Sequence, residues 1–546
     1  MELIDQKTKA IMEGCKDRAR KAGLKFQDET LEYIVTNRDL IELTPKFMIP
    51  TMYDYWVHDV EVLREKGRYE LYPSNPYETV INTRPAISFY NDNNPDWMNV
   101  MIFYHVLAHI DFFQNNIYFR NTWDYDFTGQ ALSDKRMLVK LRSEKGRWVD
   151  YIIEFARGID NLVGYYSDLI QYESLPHQKE SASLNFYFDV FLQTIRKVPV
   201  TEYMKELERF NKYTLEFGER AEQIFFTEIR QKHPEFNSLL GKYGYGNGKA
   251  GTDLLQYIMK NSDFLRREQN AWMRSVIEIV RKTSLFFQPQ IRTKIMNEGW
   301  ASYWHEHLFL ADDRIKGHEV DFAKTHSGVA ALPRIGLNPY ALGMRLFQYI
   351  EDLANKGKYT IEFTKTRDIL QRKDWNKGTN NGRDYIFEVR KNLCDNLFID
   401  YYTDQEFIDK HDLFVAGKRL NQERMVWEYY IKSRKASEYK EMLKEHLYHP
   451  PYIEVNSEKT KDGILYLNHN FEGKPLVSEY IANTMLGIEY LWGGPVVLET
   501  SEIISDQSGG RRYGGSVPEK PDDKKEYHRK RVLYTMKERK LSKQDL

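Results

Sequence analysis

The chain has 546 residues, 79 Lys and Arg against 80 Asp and Glu, a formal net charge of −1 and 41% hydrophobic residues. That balance excludes a disordered chain and a protein held to nucleic acid by overall charge, and the length favours one large domain with a smaller one. Only two cysteines occur, Cys15 and Cys394, so neither a disulfide framework nor a thiolate metal cage can be built.

Residues 1 to about 45 read as helix, with Leu31, Ile34, Leu40 and Leu43 at three- to four-residue spacing against the β-branched Val35 and Thr36. The opening MELIDQKTKAIMEG lacks the apolar core of a secretory signal, and no apolar run is long enough to span a membrane. The expected location is therefore cytoplasmic. From Tyr69 to Tyr90, three prolines among β-branched and aromatic residues predict short strands and turns. Helix returns at Asp96 and dominates to about residue 310. The Gly-rich stretch 241–251 is not a phosphate loop, because Ala250 follows Gly248-Lys249 where a Ser or Thr would hold magnesium.

The fold class expected is mainly α: a helical core domain over 1–445 with a short irregular β segment, then a small α+β domain over 446–504. In the latter, 452–456 and 463–469 alternate like paired strands, 477–493 has helical spacing, and 495–500 reads as a further strand. Residues 505–546 combine Gly pairs, prolines and a basic run, and read as a flexible, dispensable tail.

Three histidine segments could carry chemistry. In HVLAHIDFFQNN (105–116), His105 and His109 share a helix face about 6 Å apart along the axis, a spacing that lets two imidazoles meet one ion. Val106 stands where zinc peptidases of the HExxH type keep their general base, so that mechanism does not follow. In NEGWASYWHEH (297–307), Glu298 and His305 share a face but lie about 10.5 Å apart along it. One would be a ligand and the other an acid–base or positioning group, with Trp300 and Trp304 packing around them. The third segment, 318–330, offers His318 and His326, followed by Asn338-Pro339-Tyr340. A lone histidine is more often a hydrogen-bonded core residue than a ligand. No ferritin-like pair of Glu-x-x-His motifs accompanies these segments, and no G-x-S-x-G elbow occurs. Because the bulky flanks of both helices must be buried, His105, His109, Glu298 and His305 are expected to converge in space.

These segments resemble the SpoVR (stage V sporulation protein R) family. HVLAHIDFFQNN is similar to its His-Val-Tyr-Gly-His signature, with Leu107 and Ala108 replacing Tyr-Gly and Gln114 replacing Lys. VRKTSLFFQPQIRTKIMNEGWASYWH (280–305), THSGVA (325–330), LNPYALGMRLFQYIED (337–352), DLFV (412–415) and PVVLET (495–500) follow in family order. The resemblance implies a role in sporulation, in forming the spore cortex, or in a stationary-phase stress response. It also implies partnership with a PrkA-type serine kinase and a von Willebrand A-like protein.

Two readings stay open. The first is a metal-dependent hydrolase: His105, His109 and His305 as ligands of a divalent ion (zinc before others), Glu298 as general base or as a group supporting the ligands, His326 as proton donor or oxyanion stabiliser, and Asn115, Asn116 and Tyr340 orienting substrate or water. The second is a non-catalytic adaptor of the kinase pathway, in which the same residues form a buried polar network or a structural metal site.

Overall fold

The computed structural model of the chain describes residues 2–27, 29–36, 39, 78–83, 85–122, 127–163, 182–196, 198, 200–217, 221–242, 253–366, 368–421, 426–447, 450–471, 475–505 and 527–546. The mainly α class holds, with helices making most of the described residues. Leu40, Leu43, His58, His177, the 69–77 part of the Pro-rich segment and 243–251 of the Gly-rich stretch lie outside the described residues. No described helix is long and apolar enough to cross a membrane.

The chain divides into two compact units. The first joins residues 1–132, 169–250 and 286–448, and the second joins 133–168, 251–285 and 449–546. The expected small domain is therefore revised: it begins near the predicted boundary but recruits two earlier stretches of chain.

In the first unit, strands β1 (Glu2–Leu3), β2 (Thr30–Val35), β3 (Glu78–Ile81) and β4 (Ala86–Asn91) form one sheet in the order β1-β2-β4-β3, with β2 parallel to β4. The helix expected through residue 45 fails at β2. Its Thr, Tyr, Ile and Val side chains prefer a pleated surface, and Val35 packs on Phe89 of β4. The helices that matter for the site are α1 (Gln6–Lys21), α2 (Asp96–Asn115), α3 (Lys294–Leu310), α4 (Glu319–Val329), α5 (Pro339–Asn355) and α6 (Gly382–Asn392). A ribbon of β5 (Val415–Asn421) and β6 (Val426–Ser433), inside the stretch read as helical, precedes α7 (Ala436–His446).

Helix α2 is buried from Val100 to Phe113, as expected of a helix that is apolar on every side. Helix α3 packs between α2 and α5. Its crossing with α5 is a glycine contact: a Cβ on Gly299 would lie 2.3 Å from the Gly343 carbonyl carbon, and one on Gly343 would lie 2.1 Å from the Ile295 oxygen. Only residues without a Cβ let the two backbones approach so closely. The N-terminus of α3 is capped from a distance, because the Asp395 carboxylate accepts from Ile295 N and Met296 N, each at 2.8 Å. Helix α5 starts at Asn338, whose side chain accepts from the amides of Tyr340 and Ala341, with Pro339 in the first turn.

In the second unit, β7 (Tyr452–Val455), β8 (Leu465–Asn470), β9 (Val496–Ser505), β10 (Tyr527–Lys537) and β11 (Lys540–Asp545) form a five-stranded sheet in the order β11-β10-β9-β8-β7. Strands β8 and β9 are parallel, joined through α8 (Ser478–Trp492). The helix stops at Gly493, which takes the left-handed conformation at φ 78°. Tyr490 of α8 packs on Trp148, Phe155 and Phe264, which ties the three stretches of this unit together.

The flexible-tail expectation is corrected here for 527–545. Strand β10 pairs with β9 over ten residues, and Val532, Tyr534 and Met536 alternate onto the buried face. The basic run just before them (Arg529, Lys530, Arg531) masks a short period-two apolar pattern.

Candidate metal centre

Four helices deliver the histidine segments to one place. On α2, His105 and His109 are one turn apart, with ring centroids 4.6 Å from each other. Across the α2–α3 interface, Glu298 Oε2 lies 3.5 Å from His109 Nε2 and 3.9 Å from His105 Nε2. The nitrogens of His105 and His109 and a Glu298 oxygen lie within 4.8 Å of one another, close enough to hold one ion. Glu298 adjoins Gly299, so the tight α3–α5 crossing also brings the first turn of α5 alongside it. The Tyr340 hydroxyl there donates to the Glu298 carboxylate.

The other ring nitrogens are engaged away from this point. His109 Nδ1 is 2.9 Å from Asn297 Oδ1, and His105 Nδ1 is 2.8 Å from His305 Nδ1. His305 Nε2 in turn lies 2.8 Å from Nδ1 of His326 on α4. His326 Nε2 is 3.6 Å from Glu306 Oε1, and Gln348 donates to the second oxygen of Glu306 at 3.0 Å. Phe322 flanks this polar chain, edge-on to His305 and stacked on His326 and Phe309, whereas Trp300 and Trp304, expected around Glu298 and His305, pack against Phe387 instead.

Burial sets the protonation states. It holds the imidazoles of His105 and His305 well below the ordinary range, helped at His105 by His109 and His305 and at His305 by His326 and His109. Burial likewise lowers His326, against the opposing pull of Glu306. The Glu298 carboxyl is pushed up to about 7 by burial, although Tyr340 and Lys294 counter it. Its Oε2 is buried without a hydrogen-bond partner. An orphaned carboxylate oxygen facing the Nε2 atoms of two imidazoles is an arrangement that a cation satisfies.

His105, His109, Glu298, His305, His326 and Tyr340 are thus brought together, with roles that differ from the sequence reading. His305, expected as a ligand, stands behind His105 with both ring nitrogens taken by other histidines. Glu298, expected as a base, faces the histidine pair directly. His326 touches His305 rather than the His105–His109–Glu298 group.

Asn115 and Asn116 do not belong to the site, which corrects their expected role in orienting substrate. Asn115 donates to the backbone of Lys25 and Asp111, and Asn116 to that of Arg390 and Leu393. Both stand at the end of α2, where unsatisfied carbonyls need such partners. His318 also lies apart, stacked on Trp97.

Sequence reasoning gave no role to Asn297, Glu306, Asp111 or Asp395. Asp111 is fully buried, accepts from Trp300 Nε1 at 2.9 Å and pairs with Arg390, which locks α2 to α3. The only advance signal was an acid inside the apolar run HIDFF.

A family model described as SpoVR like protein matches residues 3–450. The chain is 26% identical over 335 residues to the protein named "Uncharacterized protein YcgB" of Escherichia coli (strain K12). That match covers 58% of this chain and 58% of the relative, so under two thirds of the relative's length is spanned. No solved structure matches the chain.

Proposed function

The chain belongs to the SpoVR-like family, and on that premise we propose that it is a metal-dependent enzyme, a hydrolase of an amide or similar bond, with His105, His109 and Glu298 as the protein ligands of a divalent ion. The observation that carries this reading is the buried Oε2 of Glu298, without a hydrogen-bond partner and facing Nε2 of both histidines. Two histidines and a glutamate are a donor set that catalytic zinc uses while keeping a position open for water or substrate. The Nδ1 contacts of both rings fit the outer partners that orient metal-binding imidazoles.

A bound zinc ion would polarise a carbonyl and lower the pKa of water in the site. The chain's own residues supply the rest. Tyr340 holds the Glu298 carboxylate through its hydroxyl. His326 belongs to the outer end of the polar chain, as a proton-carrying group rather than an oxyanion donor.

The wider role proposed is the one the family name carries, sporulation, with the PrkA-type kinase as partner. Co-purification with that kinase tests the partnership.

Elemental analysis of the purified full-length protein tests the centre itself. One zinc per chain is expected in the wild type, and loss of it in His105→Ala and in Glu298→Gln. A wild type free of divalent metal after loading, or variants that retain it, would end the reading. Hydrolysis of a panel of amide substrates by the loaded protein, absent in the variants, tests the activity.

A further inference from the structure

We infer that the β5–β6 ribbon binds single-stranded nucleic acid: Trp427 and Tyr429 stack successive bases, while Lys418 and Lys432 meet the phosphates. The ribbon shares no residue with the His105–His109–Glu298 group, so this inference stands apart from the metal reading.

The ribbon mixes aromatic and basic residues. Over 415–435 it carries six Lys and Arg against two Glu, in a chain whose net charge is −1. A local excess of this kind attracts a polyanion even where the whole chain is near neutral. The two strands form a sheet of their own, with no third strand among the described residues. A two-stranded ribbon is marginal unless something packs on it. Yet Leu420, Val426, Trp427, Tyr429, Tyr430 and Ile431 are all exposed, Trp427 at 59% and Tyr429 at 56%. So many exposed apolar side chains side by side mark a binding surface.

Strand alternation sorts them onto two faces. Leu420 pairs with Trp427, Lys418 with Tyr429 and Ala416 with Ile431, so these six share one face. Arg419, paired with Glu428, and Gly417, under the Tyr430 ring, belong to the other. The first face carries no acid. Its ammonium lies 4.7 Å from the Trp427 ring centroid and 5.9 Å from that of Tyr429. On the opposite face Asn421 and Arg419 hold Glu428. Arg434 and Lys435 are engaged by Asp412 and Glu438. Lys418 and Lys432 make no ion pair among the described residues. Lys432 is also the extra residue where the register shifts, since Val415 pairs with Ser433 and Ala416 with Ile431.

Two side chains on one face of a strand stand about 7 Å apart, which leaves room for a base on each ring. Sheet platforms that read RNA stack two or three bases on aromatic residues in this way. Such stacking needs only a π-face and accepts any base. The Lys418 ammonium, between the rings, supplies the charge for the phosphate that links the two bases. An apolar protein surface suits this face less well, because it would bury that ammonium with no counter-charge. A nucleic acid strand brings a ring and a negative charge in every nucleotide. A duplex offers its bases only at the groove edges, so stacking selects the single strand.

The test uses the full-length protein and labelled oligo(U) and oligo(dT) of about 20 nucleotides, followed by fluorescence anisotropy at about 50 mM salt. Dissociation constants of roughly 1–100 µM are expected, rising with salt. Trp427→Ala and Tyr429→Ala should each weaken binding roughly five- to hundredfold. Lys418→Gln should weaken it less and flatten the log–log salt slope by about 0.7, the share of one phosphate contact. All three side chains are exposed, so the thermal midpoint should hold. Tyr480→Ala, which removes an exposed ring from the second unit, should bind as the wild type does. The tighter of the two strands tells whether RNA or DNA is preferred.

No binding of either strand at low salt would overturn the inference, as would unchanged affinity in Trp427→Ala and Tyr429→Ala or an equal loss in Tyr480→Ala. Equal affinity for a duplex of the same length would do so by showing attraction to charge alone. Equal affinity for poly-L-glutamate would instead assign the ribbon to an acidic protein surface, and the inference would fall.

Discussion

The two units bury histidine in opposite ways. In the second unit, His469 on β8 meets the Thr500 hydroxyl on β9, and the buried charges Arg281 and Asp253 pair at 2.7 Å. These two polar pairs are each closed on themselves. In the first unit, four imidazoles and two glutamates form one continuous chain whose inner end is a carboxylate oxygen with no hydrogen-bond partner. Burial alone therefore does not mark a site. His469 is satisfied locally, whereas the His105–His109–Glu298 group leaves one place where a donor or a cation is still required.

The largest expected effect tests the closed, structural character of the second unit. Deleting 527–546 removes β10 and β11 and uncovers the edge of β9, together with the partners of Val532, Tyr534 and Met536. Burying each such side chain contributes about 1.5–3 kcal/mol, so the unit should lose roughly 5 kcal/mol or more. Thermal unfolding of the truncated chain would show it, and an unchanged midpoint would return these residues to the status of a tail.

Next in size is Gly343→Val. Its side chain would have to displace the backbone of α3 at Ile295 and Gly299, which should cost about 3 kcal/mol or more and pull Tyr340 from Glu298. Circular dichroism with zinc titration should register both losses. A folded variant with normal zinc affinity would break the link drawn between the glycine crossing and the site.

A smaller effect separates the two kinds of histidine. Asn297→Ala should weaken zinc binding about 10- to 100-fold with little change in stability, while His469→Ala should leave zinc binding alone. Competition with a chelating dye would measure both.

The smallest effect is in the pH profile. Burial raises the Glu298 carboxyl from its ordinary 4.5 to about 7, so the folded metal-free protein holds that proton more tightly than the unfolded chain does. Its contribution to stability is present in full below 4.5 and is lost as pH rises to about 7. Relative to Glu298→Gln, the metal-free protein should therefore become less stable across that window. Zinc affinity should rise over the same range as the carboxylate is freed. Denaturant unfolding at a series of pH values measures the first trend. A flat difference between the two proteins would mean that Glu298 is not held in the environment described.

The long helices of the first unit, the α+β character of 452–500 and the histidine pair on one helix face are legible in the sequence. They depend on local periodicity, which a chain carries within one or two turns. The convergence of 105–109 with 298–305 is legible through a simple argument: bulky apolar flanks drag the polar residues between them into a core. The β2 strand and the 527–545 strands are harder to read. Their neighbours, β4 and β9, are supplied from elsewhere in the chain, and the charges of β10 obscure its alternation.

By itself, then, the sequence determined which residue types and spacings were available: two imidazoles one turn apart, a glutamate next to a glycine, and a third and fourth histidine further on. Tertiary structure alone decided their roles. His305 stands behind His105, with α4 bringing His326 against its far nitrogen. Asn115 and Asn116 are taken up by the carbonyls of Lys25 and Asp111 and of Arg390 and Leu393, respectively. Tyr340 reaches Glu298 because two glycines let α3 and α5 touch. A hydrogen bond is fixed by angles and distances of a few tenths of an ångström, and those are set by how whole helices pack, which no local spacing encodes.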